Sequence, residues 1–317
     1  MTEVLRHAEV FENGNEPTKW VPGYAANRSA LILEGLEKDG LFRPLGQVGK
    51  ASIGFVSGAN EFFVLTPKEA AALRLPQESL RLALVRARQI PGLVITQKDV
   101  ATMEVEDQRC LLWLPGPVLT RSEQAYVLRG EAEGIHERYK CRVRTPWYVV
   151  PGVTVPEAFL TYMSYAVPRL CLNGAGAATA NTLLTVRLPQ VPANLRRAFV
   201  VAFYNSATML SCERTGRSYG GVVLKLEPRE ADQVLVPSVD LVRKHKSELL
   251  GLAPLVHKAL RHGPMTQIGE ALSVVDKVLL ACEADVQELS EERAALAARR
   301  QLRASPLLVR EMLAFYG

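Results

Sequence analysis

Residues 138–144 read Arg-Tyr-Lys-Cys-Arg-Val-Arg, so that every second side chain is cationic. Side chains on a β-strand alternate between its two faces. A strand here puts Arg138, Lys140, Arg142 and Arg144 on one face and turns Tyr139, Cys141 and Val143 toward the core, with Trp147 and Tyr148 directly after. Four cations on one face repel one another, and a facing polyanion removes that repulsion. Nucleic acid is the polyanion that suits the pattern best. The alternative is a solvated strand whose charge is balanced by Glu131, Glu133 and Glu137 just before it.

Other chemistries find less support. The loop Gly54-Phe55-Val56-Ser57-Gly58-Ala59-Asn60 lacks the Gly-Lys-Ser/Thr ending of a phosphate-binding P-loop and reads better as a turn between strands. Asn173-Gly174-Ala175-Gly176 has a G-x-G look but no third glycine and no acidic residue about twenty positions on. There is no G-x-S-x-G elbow, and the five histidines show no metal-ligand spacing. Glu104, Glu106 and Asp107 cluster without the lysine a nuclease site needs. No catalytic constellation emerges.

The elements that must carry the basic segment are legible in part. Thr66-Pro67-Lys68-Glu69 and Thr120-Arg121-Ser122-Glu123 have the pattern of capped helix starts, the second helix stopping near Gly134. A short helix is expected at Ser29–Lys38 and a buried one at Ala193–Cys212. Strands are expected at Gly92–Thr96, Cys110–Leu114, Arg138–Val150, Leu170–Asn173, Thr182–Leu188 and Ser218–Leu226. From Ser238 onward Lys, Glu, Leu and Ala dominate, which predicts a run of helices. The fold class is therefore α+β: a lead-in over 1–40, a mixed-sheet domain over 41–237 and a helical region over 238–317 that either covers an apolar face or docks on a partner. The arginines Arg293, Arg299, Arg300 and Arg303 read as a solvated face.

With 38 basic and 33 acidic residues in 317, the formal charge of +5 is compatible with an anionic partner without demanding one. No apolar run approaches the ~20 residues of a membrane span, and no signal-peptide core opens the chain. Five scattered cysteines without a C-x-x-C pair suit a reducing cytoplasm.

Several of these segments form a series in a fixed order. They are Gly54-x-x-x-Gly58-x-Asn60-Glu61-Phe62-Phe63-Val64, the basic run continuing to Pro146-Trp147-Tyr148, Asn173-x-Ala175 with Asn181-Thr182-Leu183, and Asn205-Ser206-x-Thr208. Gly216-Arg217-Ser218-Tyr219-Gly220-Gly221 and Leu224-Lys225-Leu226-Glu227-Pro228 complete it. The series, from about Leu41 to Pro237, resembles the C-terminal half of TaqI-like class I adenine-N6 DNA methyltransferases of restriction–modification and phage-defence systems. It departs from them at residues 220–222, where Gly-Gly-Val stands in place of three glycines.

The resemblance implies a target recognition domain that holds duplex DNA while an adenine is turned out of the stack. The residues it points to are Arg138, Lys140, Arg142, Arg144, Trp147, Asn60, Arg217, Tyr219, Gly220 and Lys225. Asn60 suits a side-chain-capped turn as well as a DNA contact, Trp147 suits the core as well as base stacking, and Gly216–Gly221 suits a plain β-turn as well as a loop against the DNA backbone. The family's Asn/Asp-Pro-Pro-Tyr/Phe motif and its glycine-rich cofactor loop are both missing from this sequence. With a methionine just upstream of the recognition half, the chain is either a separately encoded specificity subunit of a split methyltransferase, which is the expectation, or a cut-down fragment. S-adenosylmethionine would then belong to a catalytic partner, and this chain would be a non-catalytic component of the methyltransferase. The alternative is a stand-alone DNA-binding or anti-restriction protein. On the first expectation, calorimetric titration of this chain with S-adenosylmethionine gives no heat at micromolar concentrations; a one-to-one isotherm would refute it.

Overall fold

The structure is a computed structural model that describes residues 28–219 and 223–301. Its centre is a five-stranded sheet ordered Lys50–Ile53, Leu183–Arg187, Ala158–Thr161, Leu170–Asn173 and Val94–Ile95. The first four are antiparallel to their neighbours and the last is parallel. Ala158–Thr161 is buried at every position, as expected of a central strand covered on both faces.

A second, four-stranded sheet runs Ala178–Thr179, Leu80–Leu84, Leu111–Trp113, Val64–Leu65. A bridge between Phe55 and Ala180 joins the two regions. Phe42–Pro44 pairs antiparallel with Leu235–Pro237, so the two ends of the 41–237 segment meet in a small ribbon. The fold is α+β, as the sequence predicts, with mixed sheets and helices segregated mainly to the C-terminal part.

Both capping boxes form. Thr66 accepts from the Glu69 N–H while Glu69 reaches back to the Thr66 N–H, and Thr120 and Glu123 repeat the arrangement. The helix started by Thr120 ends at Ala132, with Gly134 in the left-handed conformation just beyond.

Three of the expected elements need correction. The single helix over Ala193–Cys212 is a 3-10 turn at Ala193–Leu195 and two helices, Arg196–Phe203 and Ser206–Thr215. Asn205 breaks it: its carboxamide accepts from the Thr208 N–H at 2.9 Å and donates to the Ala202 carbonyl at 2.7 Å, ending one helix and starting the next. The strand at Ser218–Leu226 is an antiparallel pair, Arg217–Tyr219 with Val223–Lys225, the connecting residues lying outside those described. The strand at Arg138–Val150 does not exist. Ile135–Glu137 is a 3-10 turn, Tyr139–Arg142 one turn of α-helix, and the chain from Val143 to Val150 is turn and coil.

The helices Val239–Lys244, Lys246–His262, Met265–Leu279 and Glu283–Gln301 contribute Leu249, Val256, Leu272, Val275 and Leu289 to the same core as the five-stranded sheet. They cover its apolar side together with Arg196–Phe203, whose residues from Ala198 on are all buried. No helix among the described residues is long and apolar enough to cross a membrane.

The arginines of the last helix are not one solvated face. Arg300 is buried on Glu213 at 3.0 Å, Arg293 is half-buried, Arg299 is exposed and Arg303 lies outside the described residues. Sequence pattern missed this because Glu213, the partner, is on another helix.

Asp276 pins the helical region to the core. Its carboxylate accepts from the Ser206 N–H and the Ser206 hydroxyl, both at 2.7 Å, at the start of the Ser206–Thr215 helix. Burial outweighs these donors and pushes the Asp276 carboxyl up to about 6. The folded protein thus holds this proton up to about pH 6, whereas an unfolded aspartate releases it near ~4. The stability that protonation supplies is full below pH ~4 and is lost as the pH rises through 6. Asp276→Asn removes this dependence. Denaturant unfolding of both proteins between pH 4 and 7 should show their stability difference changing by on the order of 3 kcal/mol. Parallel pH profiles would mean that Asp276 titrates normally.

Candidate nucleic-acid interface

The loop at 54–60 builds the site. Gly54 passes so close to the strand after Ala177 that a Cβ there would lie 2.2 Å from the Thr179 carbonyl and 2.3 Å from that of Ala180. Phe55 donates its N–H to Thr179 O and receives that of Asn181. Gly58 turns the chain with φ +87°, and a Cβ on it would meet Lys140 Cβ at 2.7 Å. Ser57 donates its hydroxyl to the Asn60 carboxamide oxygen, and Asn60 opens the short helix Asn60–Phe63. Ser57 Oγ in turn accepts from the Ala59 N–H at 3.2 Å, so it is Ser57 that caps the turn and the Asn60 carboxamide that orients Ser57.

The basic segment is docked on this loop. Cys141 is its buried residue, with Sγ 3.8 Å from the Ser57 carbonyl. Arg138 and Arg144 lie three residues to either side and turn the same way. Arg138 forms an ion pair with Glu61. Arg144 donates to the Ser57 carbonyl at 2.7 Å and also to that of Val56. Partial burial raises the Glu61 carboxyl, but its own backbone N–H and the Arg138 guanidinium outweigh this and hold it below the usual range. Burial pushes the Cys141 thiol up, so it is no ready nucleophile.

The remaining side chains of the segment point outward. Tyr139, Lys140, Arg142 and Val143 are exposed, with Lys140 Nζ 5.1 Å and the Arg142 guanidinium carbon 5.7 Å from the Tyr139 ring centre. Among the described residues neither cation has a carboxylate partner. The predicted row of four is therefore split: Arg138 and Arg144 brace the turn, and Lys140 and Arg142 face out. Tyr139 and Val143, which the strand reading turned inward, are presented to solvent.

Beneath the turn lies an aromatic cluster. Phe62 stacks on Tyr126 at 4.4 Å and nearly parallel, and Trp113 meets both rings edge-on. Trp147 packs on Phe62 and Phe63, with its indole N–H on Glu131 at 3.2 Å. Its ring supports the turn from below and is half-buried.

Arg217, Tyr219 and Lys225 come together elsewhere, on the hairpin that pairs with Met163–Ser164. Arg217 is tied to Glu230. Lys225 lies 2.7 Å from Glu227, with Tyr162 and Tyr219 offering ring faces at 4.9 and 5.4 Å. The Tyr162 hydroxyl also donates to Glu227 at 2.8 Å. Hydrogen bonding to Glu227 raises the Lys225 ammonium, and the same contact lowers the Glu227 carboxyl. Tyr219 remains about half exposed, and Gly220 lies outside the described residues. Sequence order alone does not disclose the two acidic partners, because they sit beyond the hairpin at 227 and 230.

The arrangement can hold a polyanion; among the described residues no three His, Cys, Asp or Glu side chains could hold a metal ion. The chain belongs to the family of C-terminal domains of Type II methyltransferases typified by M.Eco57I, whose model matches residues 17–280. It is 21% identical over 245 residues to the Type II methyltransferase M.AccI of Acinetobacter calcoaceticus, a match covering 76% of this chain and 44% of that protein. The chain thus spans under half the length of that relative. It is also similar to the type IIG restriction endonuclease BpuSI, with a TM-score of 0.47 and 11% identity over 80% of this chain and 33% of that one.

The bracing makes a prediction about stability. Gly58→Ala combines a positive φ with a 2.7 Å clash, and Arg144→Ala leaves two loop carbonyls without their donor. Each should destabilise the fold by roughly 1–3 kcal/mol in denaturant titrations. Lys140→Ala should change stability by less than about 0.5 kcal/mol. Equal effects at all three positions would contradict the assignment of bracing and outward-facing roles.

Proposed function

We propose that this chain is the DNA recognition part of a type II adenine-N6 methyltransferase, holding the duplex while a catalytic chain encoded separately modifies a flipped adenine with S-adenosylmethionine. The observation that carries the reading is the braced turn: two cations without carboxylate partners among the described residues, held out from a rigid platform. Phosphate contacts from Lys140 and Arg142 would fix register, with any base-edge contact adding sequence preference. Family membership supports the DNA methyltransferase context. The match to less than half of M.AccI supports the view that methyl transfer requires more than this stretch of chain.

The first test is binding. Two phosphate contacts give a dependence of log K on log[salt] with a slope of about −2 from this turn. Lys140→Ala and Arg142→Ala should each weaken binding to all duplexes alike and reduce the slope by about one unit. Arg138→Ala and Arg144→Ala should act mainly through stability. Unchanged affinity and slope in both Lys140→Ala and Arg142→Ala would remove the turn from the interface.

The second test is reconstitution with a candidate catalytic chain, following transfer of labelled methyl to DNA. Activity in the mixture alone supports the split arrangement. Full site-specific methylation by the candidate catalytic chain alone would overturn it, and DNA binding by this chain without any such requirement would then favour a stand-alone binder.

A further inference from the structure

Tyr139 and Val143 are 64% and 65% exposed on a turn whose other side is tied down at three points. Tyr139 opens the one-turn helix Tyr139–Arg142 and Val143 follows it directly. A tyrosine ring and a valine are thus both presented to water on a backbone fastened from beneath. The strand pattern would have buried both; the helical turn instead buries Cys141 and turns this pair to water.

The charges around the pair identify what it meets. Lys140 and Arg142 flank the ring, and neither is paired with a carboxylate among the described residues. A protein groove receiving this wedge would have to strip water from two cations. A nucleic-acid duplex meets them with phosphate oxygens, while its base steps can receive an aromatic ring. Apolar or aromatic side chains flanked by cations are the means by which proteins enter a base step and unstack it.

We infer that Tyr139, backed by Val143, inserts into the base stack of the bound duplex between the phosphate contacts of Lys140 and Arg142. The inference rests on the DNA-binding reading above and adds a stacking role to it. Insertion at the recognition turn opens a base step, which lowers the cost of turning a neighbouring base out of the helix. Bracing by Arg138, Cys141 and Arg144 means that the wedge is formed before DNA arrives, so little ordering is needed on binding.

The test compares an intact duplex with duplexes of the same length that carry one abasic site in varied flanking sequence, where unstacking is already done. Fluorescence anisotropy at fixed salt should show the wild-type chain binding the abasic set roughly tenfold more tightly, because the base step that insertion must unstack in an intact duplex is already open. Tyr139→Ala should bring this ratio to within about twofold while leaving the salt slope unchanged. Tyr139→Trp should keep the ratio, and Lys140→Ala should lower the slope and keep the ratio. If Tyr139→Ala retains the wild-type ratio, the wedge is wrong while DNA binding stands; if the wild-type chain binds neither duplex, both fail. If Tyr139→Ala binds both duplexes as the wild type does but no longer captures a catalytic chain, the turn is a protein-docking surface and the inference is overturned.

Discussion

The close approach of the 54–60 loop to its neighbours is the constraint that shapes the interface. Gly54 lets the loop run against the Thr179 and Ala180 carbonyls, and Gly58 lets it reverse direction under Lys140. With that path, the carbonyls of Val56 and Ser57 face a partly enclosed space where they need donors. Arg144 supplies them, and Glu61, one residue into the short helix, draws in Arg138. The backbone of one motif thus dictates the conformation of another more than eighty residues away. That explains why glycines and arginines so far apart in the chain belong to one series.

The same relation marks where sequence reading stops. Local signals were faithfully legible: the capping boxes at Thr66 and Thr120, the strand Leu170–Asn173 and the helical character after Ser238 all lie within a few residues of the pattern that announces them. Asn205 was legible too, since Asn-Ser-x-Thr is a helix start, but apolar spacing on both sides hid the break. The 138–144 segment could not be read this way. Period-two alternation favours a strand only where the chain finds a ladder partner, and here the hydrogen-bonding opportunity came from loop carbonyls instead. Within the candidate site, the division of the basic residues into bracing and outward-facing groups depends on Glu61 and the 56–57 backbone, which the alternation does not reveal.

A positive residue count likewise says little about positive surface. Arg109 donates to the Glu61 and Val64 carbonyls and pairs with Glu69 at 2.6 Å. Arg261 is tied to the buried Asp99, Arg300 to Glu213, Arg217 to Glu230 and Lys225 to Glu227. Each of these cations contributes to folding or local shape, and its field at a distance is largely cancelled by its partner. An attraction for a polyanion comes from charges whose partners are missing, which is why Lys140 and Arg142 weigh more here than the formal total.

The aromatic cluster gives those two charges a fixed position. Phe62 stacks on Tyr126 and meets Trp113 edge-on, and the Tyr126 hydroxyl donates to the Phe62 carbonyl at 2.6 Å. Phe62 comes directly after Glu61, the partner of Arg138, so this packing holds the loop end to which the basic turn is tied. Trp147 closes the cluster from the far end of the same turn. The turn is therefore fastened at both ends to the aromatic cluster, while Tyr139, Lys140, Arg142 and Val143 project from its middle. A short helical turn would be unstable in isolation; here its conformation comes almost wholly from what lies beneath it. The outward-facing side chains are left free of structural duty, able to change without loss of the fold.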